Sequence, residues 1–265
     1  MQIEINGQTA YAYTGGKPFD PDLPCVVFIH GAQNDHSVWG LQSRWFAHHG
    51  FAVLAVDLPG HGRSGGSPLP SVEDLADWIE LLLENTGVGV SGASLVGHSM
   101  GSLTALECAA RHPARIARIA LIGTAVPMPV SDALLGAARD KEARAIAMIN
   151  TWSHSPRGMI GGNTVPGMWL LGASQRLMER QKPGVLHNDL AACNAYTHGM
   201  EAAAALTCPA LIVSGSRDQM THPKAAGKLA AVIGKVSSLS LEGAGHALMA
   251  EQPDAVLDAL RGFIA

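Results

Sequence analysis

The chain has 265 residues, 47% hydrophobic and 15% charged, with a formal net charge of −4. Such a chain can bury a sizeable core as one large domain or two modest ones, and it holds no run of lysine or arginine to neutralise phosphates, which argues against a nucleic-acid partner. The four cysteines, Cys25, Cys108, Cys193 and Cys208, are far apart and lack C-x-x-C spacing, which predicts buried, reduced thiols. No basic segment leads into an apolar stretch at the N-terminus and no apolar span approaches membrane length, so the expectation is a cytoplasmic protein with no membrane partner.

In chain order, Ile3-Glu4-Ile5 alternates, Asn6-Gly7 is a hairpin turn signal and Ala10 to Tyr13 can return, predicting an antiparallel pair at a sheet edge. Cys25 to Ile29 is a short continuous apolar run suited to a strand buried on both faces. A helix carrying Trp39, Leu41, Trp45 and Phe46 is stopped by Gly50, and a second buried run spans Ala52 to Val56. The loop from Asp57 to Gly66 is too rich in Gly and Pro for regular structure. Ser71 with Asp74 resembles a capping box ahead of a helix carrying Val72, Leu75, Ile79, Leu82 and Leu83.

The next strand ends in Gly97-His98-Ser99-Met100-Gly101, and a helix follows to about His112, before Pro113. Ile116 to Ile122 is another buried run. Repeated alternation of short apolar strands with helices predicts a mostly parallel sheet with right-handed crossovers. Regularity stops near Val126. From 126 to 205 the chain lacks buried strand runs and carries helix-like pieces, such as Ser131 to Ile149, broken by Pro156, Gly161-Gly162, Pro166 and Pro183. The sheet resumes at Ala210 to Gly215, followed by a polar loop with Asp218, a helix from Pro223 to Ile233, a strand near Ser238 to Leu241, the loop holding His246, and a last helix from Pro253 to Ile264.

A serine hydroxyl is a poor nucleophile at neutral pH; it needs an imidazole to take its proton and a carboxylate to orient that imidazole. G-x-S-x-G on a strand-to-helix turn supplies the exposed serine, and the order Ser, acid, His is then met by Ser99, Asp218 and His246, each after a strand. Protonation of His246 would impose an acidic limb on the rate profile. Two backbone N–H donors would bind the oxyanion: Met100, next to the serine, and Ala32 in the loop after the first buried run, with Gln33 the other candidate for the second donor. Asp57 is the alternative acid, although its loop reads as structural, as does His61 within it. His30 and His98 flank the expected pocket and read as residues that fix backbone. His154, Asn163, His187, Asn188 and His198 show no metal-ligand spacing, so neither a metal nor a cofactor is expected.

Phe28-Ile29-His30-Gly31, Trp39, Asp57-Leu58-Pro59-Gly60-His61-Gly62-Arg63-Ser64, Gly97-His98-Ser99-Met100-Gly101, Val213 to Asp218 and Gly243-Ala244-Gly245-His246 together resemble an α/β-hydrolase fold enzyme with a helical cap, in the esterase, lactonase and cofactor-free haloperoxidase-like branch. The resemblance implies an α/β fold with a mostly parallel, twisted sheet of about eight strands flanked by helices: a core of residues 1–125 and 206–265, with a cap and return segment at 126–205. It also implies a site between core and cap. Serine rather than aspartate at position 99 departs from haloalkane dehalogenases and epoxide hydrolases. His30-Gly31-Ala32 lacks the triple-glycine run of larger esterases and the glycine-rich oxyanion loop of the C–C hydrolases. The expected activity is hydrolysis of a small or medium-sized carboxylic ester or lactone through an acyl-enzyme, with Trp152 and Trp169 of the cap lining the pocket. Acyl transfer or perhydrolysis, C–C hydrolysis and a non-catalytic small-ligand receptor are the alternatives, and the oligomeric state, a homodimer included, is left open.

Overall fold

A computed structural model describes residues 1–88, 92–162 and 167–265. β1 (Gln2–Ile5) and β2 (Gln8–Tyr13) form the expected hairpin, with Asn6 and Gly7 both at positive φ in the turn. β3 (Cys25–Ile29) is buried throughout. A 3-10 turn at His36–Trp39 precedes α1 (Gly40–Ala47), so the first predicted helix is split, because Asp35 caps the turn by accepting from the Ser37 N–H. β4 (Ala52–Asp57) follows, then α2 (Val72–Asn85), whose first turn is capped by Ser71 accepting from the Asp74 N–H at 3.0 Å. β5 (Ala93–His98), α3 (Met100–Arg111) and β6 (Ile116–Ile122) complete the first part of the chain.

Between β6 and β7 the described residues carry α4 (Asp132–Asp140), α5 (Glu142–Ser153), α6 (Pro156–Met159), α7 (Leu170–Glu179), α8 (Val185–Ala195) and α9 (Gly199–Ala204). The single helix expected from Ser131 to Ile149 is two helices, broken at Lys141, whose backbone lies at φ −149°, ψ 60°. Asn163 and Pro166 lie outside the described residues. β7 (Ala210–Gly215), α10 (Pro223–Ala230), β8 (Val236–Leu241), α11 (Leu248–Glu251) and α12 (Pro253–Ile264) finish the chain.

The sheet has eight strands in the order β1-β2-β4-β3-β5-β6-β7-β8, antiparallel only at β1·β2 and β2·β4. Alternate side chains of each central strand enter different layers. Val27 and Ile29 of β3 join the layer under α2, α3, α9 and α10, whereas Val26 and Phe28 join the one under α1, α11 and α12. A third cluster, built on Leu134, Ile146, Met178, Leu186 and Leu190, is internal to the inserted helices. α9 is different: Ala202 and Ala203 pack into the core layer beside α3, so the last inserted helix belongs by packing to the sheet's flank. All four cysteines are buried and unpaired. No helix among the described residues is long and apolar enough to cross a membrane.

Candidate active site

In an open parallel sheet, ligands bind beyond the carboxyl ends of the strands, where successive crossovers run in opposite directions. Here that point lies between β3 and β5, since β4 is on one side of β3 and β5 on the other. Ala32 follows β3 and Ser99 follows β5, while Asp218 and His246 follow β7 and β8.

Ser99 sits at φ 53°, ψ −120°, a conformation costing a non-glycine residue ~1–3 kcal/mol. The turn is possible because the residues two before and two after Ser99 have no β-carbon: one added at Gly97 would lie 2.0 Å from the Gly101 oxygen, and one at Gly101 would lie 2.4 Å from the Ile29 oxygen. The Ser99 N–H donates to the Ile122 oxygen at 3.0 Å, and Ser102 Oγ donates to the Ser99 oxygen at 2.6 Å, fixing the turn from both sides.

Asp218 is 3% exposed and its oxygens accept four hydrogen bonds: from the Met220 and Thr221 N–H groups at 2.8 Å each, from Thr221 Oγ1 at 2.7 Å, and from His246 Nδ1 at 2.8 Å. Burial by itself would raise this carboxyl, but the His246 charge and hydrogen bond, with the Thr221 donors, outweigh it and hold it below the usual carboxylate range. A carboxylate facing Nδ1 keeps the proton there and leaves Nε2 as the acceptor of the neutral ring. The His246 backbone is held as closely as its ring. Its oxygen accepts from His98 Nε2 at 2.9 Å, the preceding Gly245 N–H donates to Glu251 Oε1 at 3.0 Å, and the following Ala247 N–H donates to the Ser153 oxygen at 2.9 Å. Gly123, at φ 56°, lets the ring approach; a β-carbon there would stand 3.1 Å from it.

Ser99 and His246 line one cavity of about 1030 Å³ with Ala32, Met128, Leu134 and Trp152. Among the described residues the Ser99 hydroxyl and the His246 ring are not hydrogen-bonded to one another in this conformation. Trp152 is placed where the sequence suggested; Trp169 is not. The residue is 69% exposed and its ring packs over Gly172, outside the cavity lining, although its neighbours Met168 and Leu170 line the cavity.

The N–H groups of Ala32 and Met100 have no protein acceptor among the described residues. Gln33 is excluded as the second donor, since its N–H is committed to Asp189 Oδ2 at 2.9 Å. Asp57 accepts from the His36 N–H and ring and from the Arg63 N–H, so it organises its own loop. His30 accepts the Leu58 N–H at Nε2, and burial, then the neighbouring His61, push its pKa down to about 4. His98 is pushed down to about 3 by burial and then by His246, and stays neutral while holding the His246 oxygen. The one group among the described residues with metal-ligand proximity, Asp35, His36 and Asp57, already uses its carboxylates on Ser37, Arg180, Gln181, His36 and Arg63.

Thr221, Glu251, Asp189 and Gly123 were not singled out from the sequence. Thr221 carried a local signal, a hydroxyl three residues after an Asp, the spacing of an Asx-type turn. Asp189 carried none, for its partners stand 128 and 156 positions away.

The signature of the "Alpha/beta hydrolase family" matches residues 26–259. A bifunctional esterase/perhydrolase of Acinetobacter calcoaceticus is 27% identical over 262 residues, covering 92% of each chain. A (E)-2-((N-methylformamido)methylene)succinate hydrolase of Acinetobacter baylyi is 30% identical over 118 residues, a match spanning 44% of this chain and under half, 42%, of that protein. Among solved structures, the enol-lactonase from Burkholderia xenovorans LB400 superposes with a TM-score of 0.87 at 24% identity, covering 99% of both chains. A thermophilic esterase from Thermogutta terrifontis reaches 0.84 at 20%, covering 99% of this chain and 97% of its own. With the signature running through nearly the whole sheet and both of its flanks, the chain belongs to the alpha/beta hydrolase family.

Proposed function

We propose that this protein is a serine hydrolase acting on a small or medium-sized carboxylic ester or lactone through an acyl-enzyme. The observation that carries the reading is the buried Asp218 Oδ2 to His246 Nδ1 contact of 2.8 Å at the cavity where Ser99 stands on its strained turn. His246 Nε2 takes the hydroxyl proton as Ser99 Oγ bonds to the carbonyl carbon; the Ser99–His246 hydrogen bond closes as substrate seats, as is common when a free site is compared with its complex. The N–H groups of Ala32 and Met100 receive the oxyanion. The imidazolium then returns its proton to the leaving alkoxide oxygen, and a water, deprotonated by the same ring, releases the acid and regenerates Ser99.

The mostly apolar lining, with Met128, Leu134 and Trp152, suits an acyl or aromatic group. Related proteins named as an esterase/perhydrolase and an enol-lactonase support ester and lactone chemistry. The former also favours a second reading, in which a peroxide or an alcohol replaces water on the same acyl-enzyme. Ser99→Ala is expected to lower turnover of short p-nitrophenyl esters by a factor on the order of 10³ or more, and to abolish labelling by a fluorophosphonate. Wild-type labelling of the alanine variant would overturn the assignment.

A further inference from the structure

The backbone just after Ala32 is held by the inserted helices and not by the sheet. Gln33 is 1% exposed and adopts φ 57°, a left-handed conformation that is uncommon for a side chain of its kind. Three elements of the insert grip it. Its N–H donates to Asp189 Oδ2 of α8 at 2.9 Å, while its Nε2 donates to Glu142 Oε1 of α5 at 2.8 Å and to the Met178 oxygen of α7 at 3.1 Å. Asp189 is 2% exposed, and the same Oδ2 accepts from His61 Nε2 at 2.9 Å. The other nitrogen of His61 faces the Pro59 oxygen at 3.0 Å. Both ring nitrogens therefore face acceptors, which requires the doubly protonated ring and makes Asp189 its counter-ion. Burial by itself would lower the pKa of His61, but the Asp189 charge and hydrogen bond raise it instead.

We propose that Asp189 is a positioning residue for the oxyanion hole: by holding the Gln33 N–H from the cap, it fixes the peptide that follows Ala32 and so aims the Ala32 N–H at the substrate carbonyl. The cap is then part of the scaffold of the catalytic apparatus as well as the roof of the pocket. His61, from the loop after β4, shares that Asp189 oxygen and so ties the clamp to the core as well. The inference rests on the hydrolase reading only in what the Ala32 N–H binds; the clamp itself is a statement about structure.

The test compares wild type with Asp189→Ala and with Asp189→Asn, which keeps an acceptor for the Gln33 N–H. Hydrogen exchange reads the clamp directly: in Asp189→Ala, residues 31–35 should exchange at least ~10-fold faster, with α3 unchanged. The oxyanion hole is read from the ratio of kcat for an ester to that for its thionoester, in which sulfur replaces the carbonyl oxygen and fits the donors poorly. That ratio should fall at least ~5-fold in Asp189→Ala with KM nearly constant, and recover most of the way in Asp189→Asn. Unchanged exchange at 31–35 would overturn the clamp. Faster exchange with an unchanged ratio would overturn its role in oxyanion binding. Should Asp189→Ala not fold, a double variant that also replaces His61 by Phe removes the stranded charge, and the same two readouts apply. If wild type shows no Ser99-dependent ester turnover, it is the hydrolase reading that falls, and the exchange measurement still decides the clamp.

Discussion

Asp218 has its charge committed before any substrate arrives. Four donors converge on its oxygens, and the carboxyl is held below the usual range despite burial. Its stabilising contribution is therefore present above the ordinary value of 3.8 and is lost only as pH falls through the lower folded value. Mild acidification accordingly leaves the Asp218 carboxylate charged. Asp218→Asn should leave the fold in place yet lower kcat by a factor on the order of 10³, because an amide facing Nδ1 favours the wrong ring tautomer. Circular dichroism and ester turnover measured on one preparation check this; a loss below tenfold would count against Asp218 as the orienting acid.

Between elements, Glu251 of α11 is the tie that sets the His246 loop against the insert. Its carboxylate accepts from the Gly245 N–H at 3.0 Å, the Ser155 N–H at 3.1 Å and the Ser155 hydroxyl. Glu251→Ala strands three buried donors and should cost about 3 kcal/mol or more, with kcat falling about tenfold as the loop loosens, whereas Glu251→Gln should lie between. Thermal midpoints and kinetics on the three proteins are the check; kcat unchanged in a folded Glu251→Ala would refute the coupling. Neither this tie nor the Asp189 clamp was legible beforehand. The placement of Ser99, Asp218 and His246 after strands could be read because each follows an apolar run, a local pattern visible in one dimension. Glu251 ends a four-residue helix, after Leu248, Met249 and Ala250, and its partner Ser155 is 96 positions away, so only the closed fold reveals it. Trp169 failed for the opposite reason. Aromatic composition says that a helical insert has a pocket face and an outer face, but not which of the two an indole at a helix N-terminus will take.

For the whole molecule, the buried histidines set the response to acid. His30 and His98 have folded values of about 4 and about 3 against an ordinary 6.5. Below 6.5 the unfolded chain binds protons that the folded chain refuses, so each ring removes up to ~1.4 kcal/mol of stability per pH unit until its folded value is reached. His61 acts with the opposite sign: its folded value is raised, so its contribution is complete below 6.5 and is lost as pH rises through that raised value. The denaturation midpoint should fall steadily from about pH 7 to about pH 4.5, with net proton uptake on unfolding. A flat midpoint across that range would show that these rings are not held neutral.

The backbone of Ser99 has a further consequence. Glycine would adopt φ 53°, ψ −120° without steric cost, so the turn that presents the hydroxyl is one the fold would rather build from another residue. With Ser99 in its proposed role, selection for thermal endurance alone would tend to erase the nucleophile, and a variant library screened only for heat resistance would collect inactive proteins at this position. A hydroxyl standing against the preference of its own backbone is the mark that the proposed chemistry would leave on this turn.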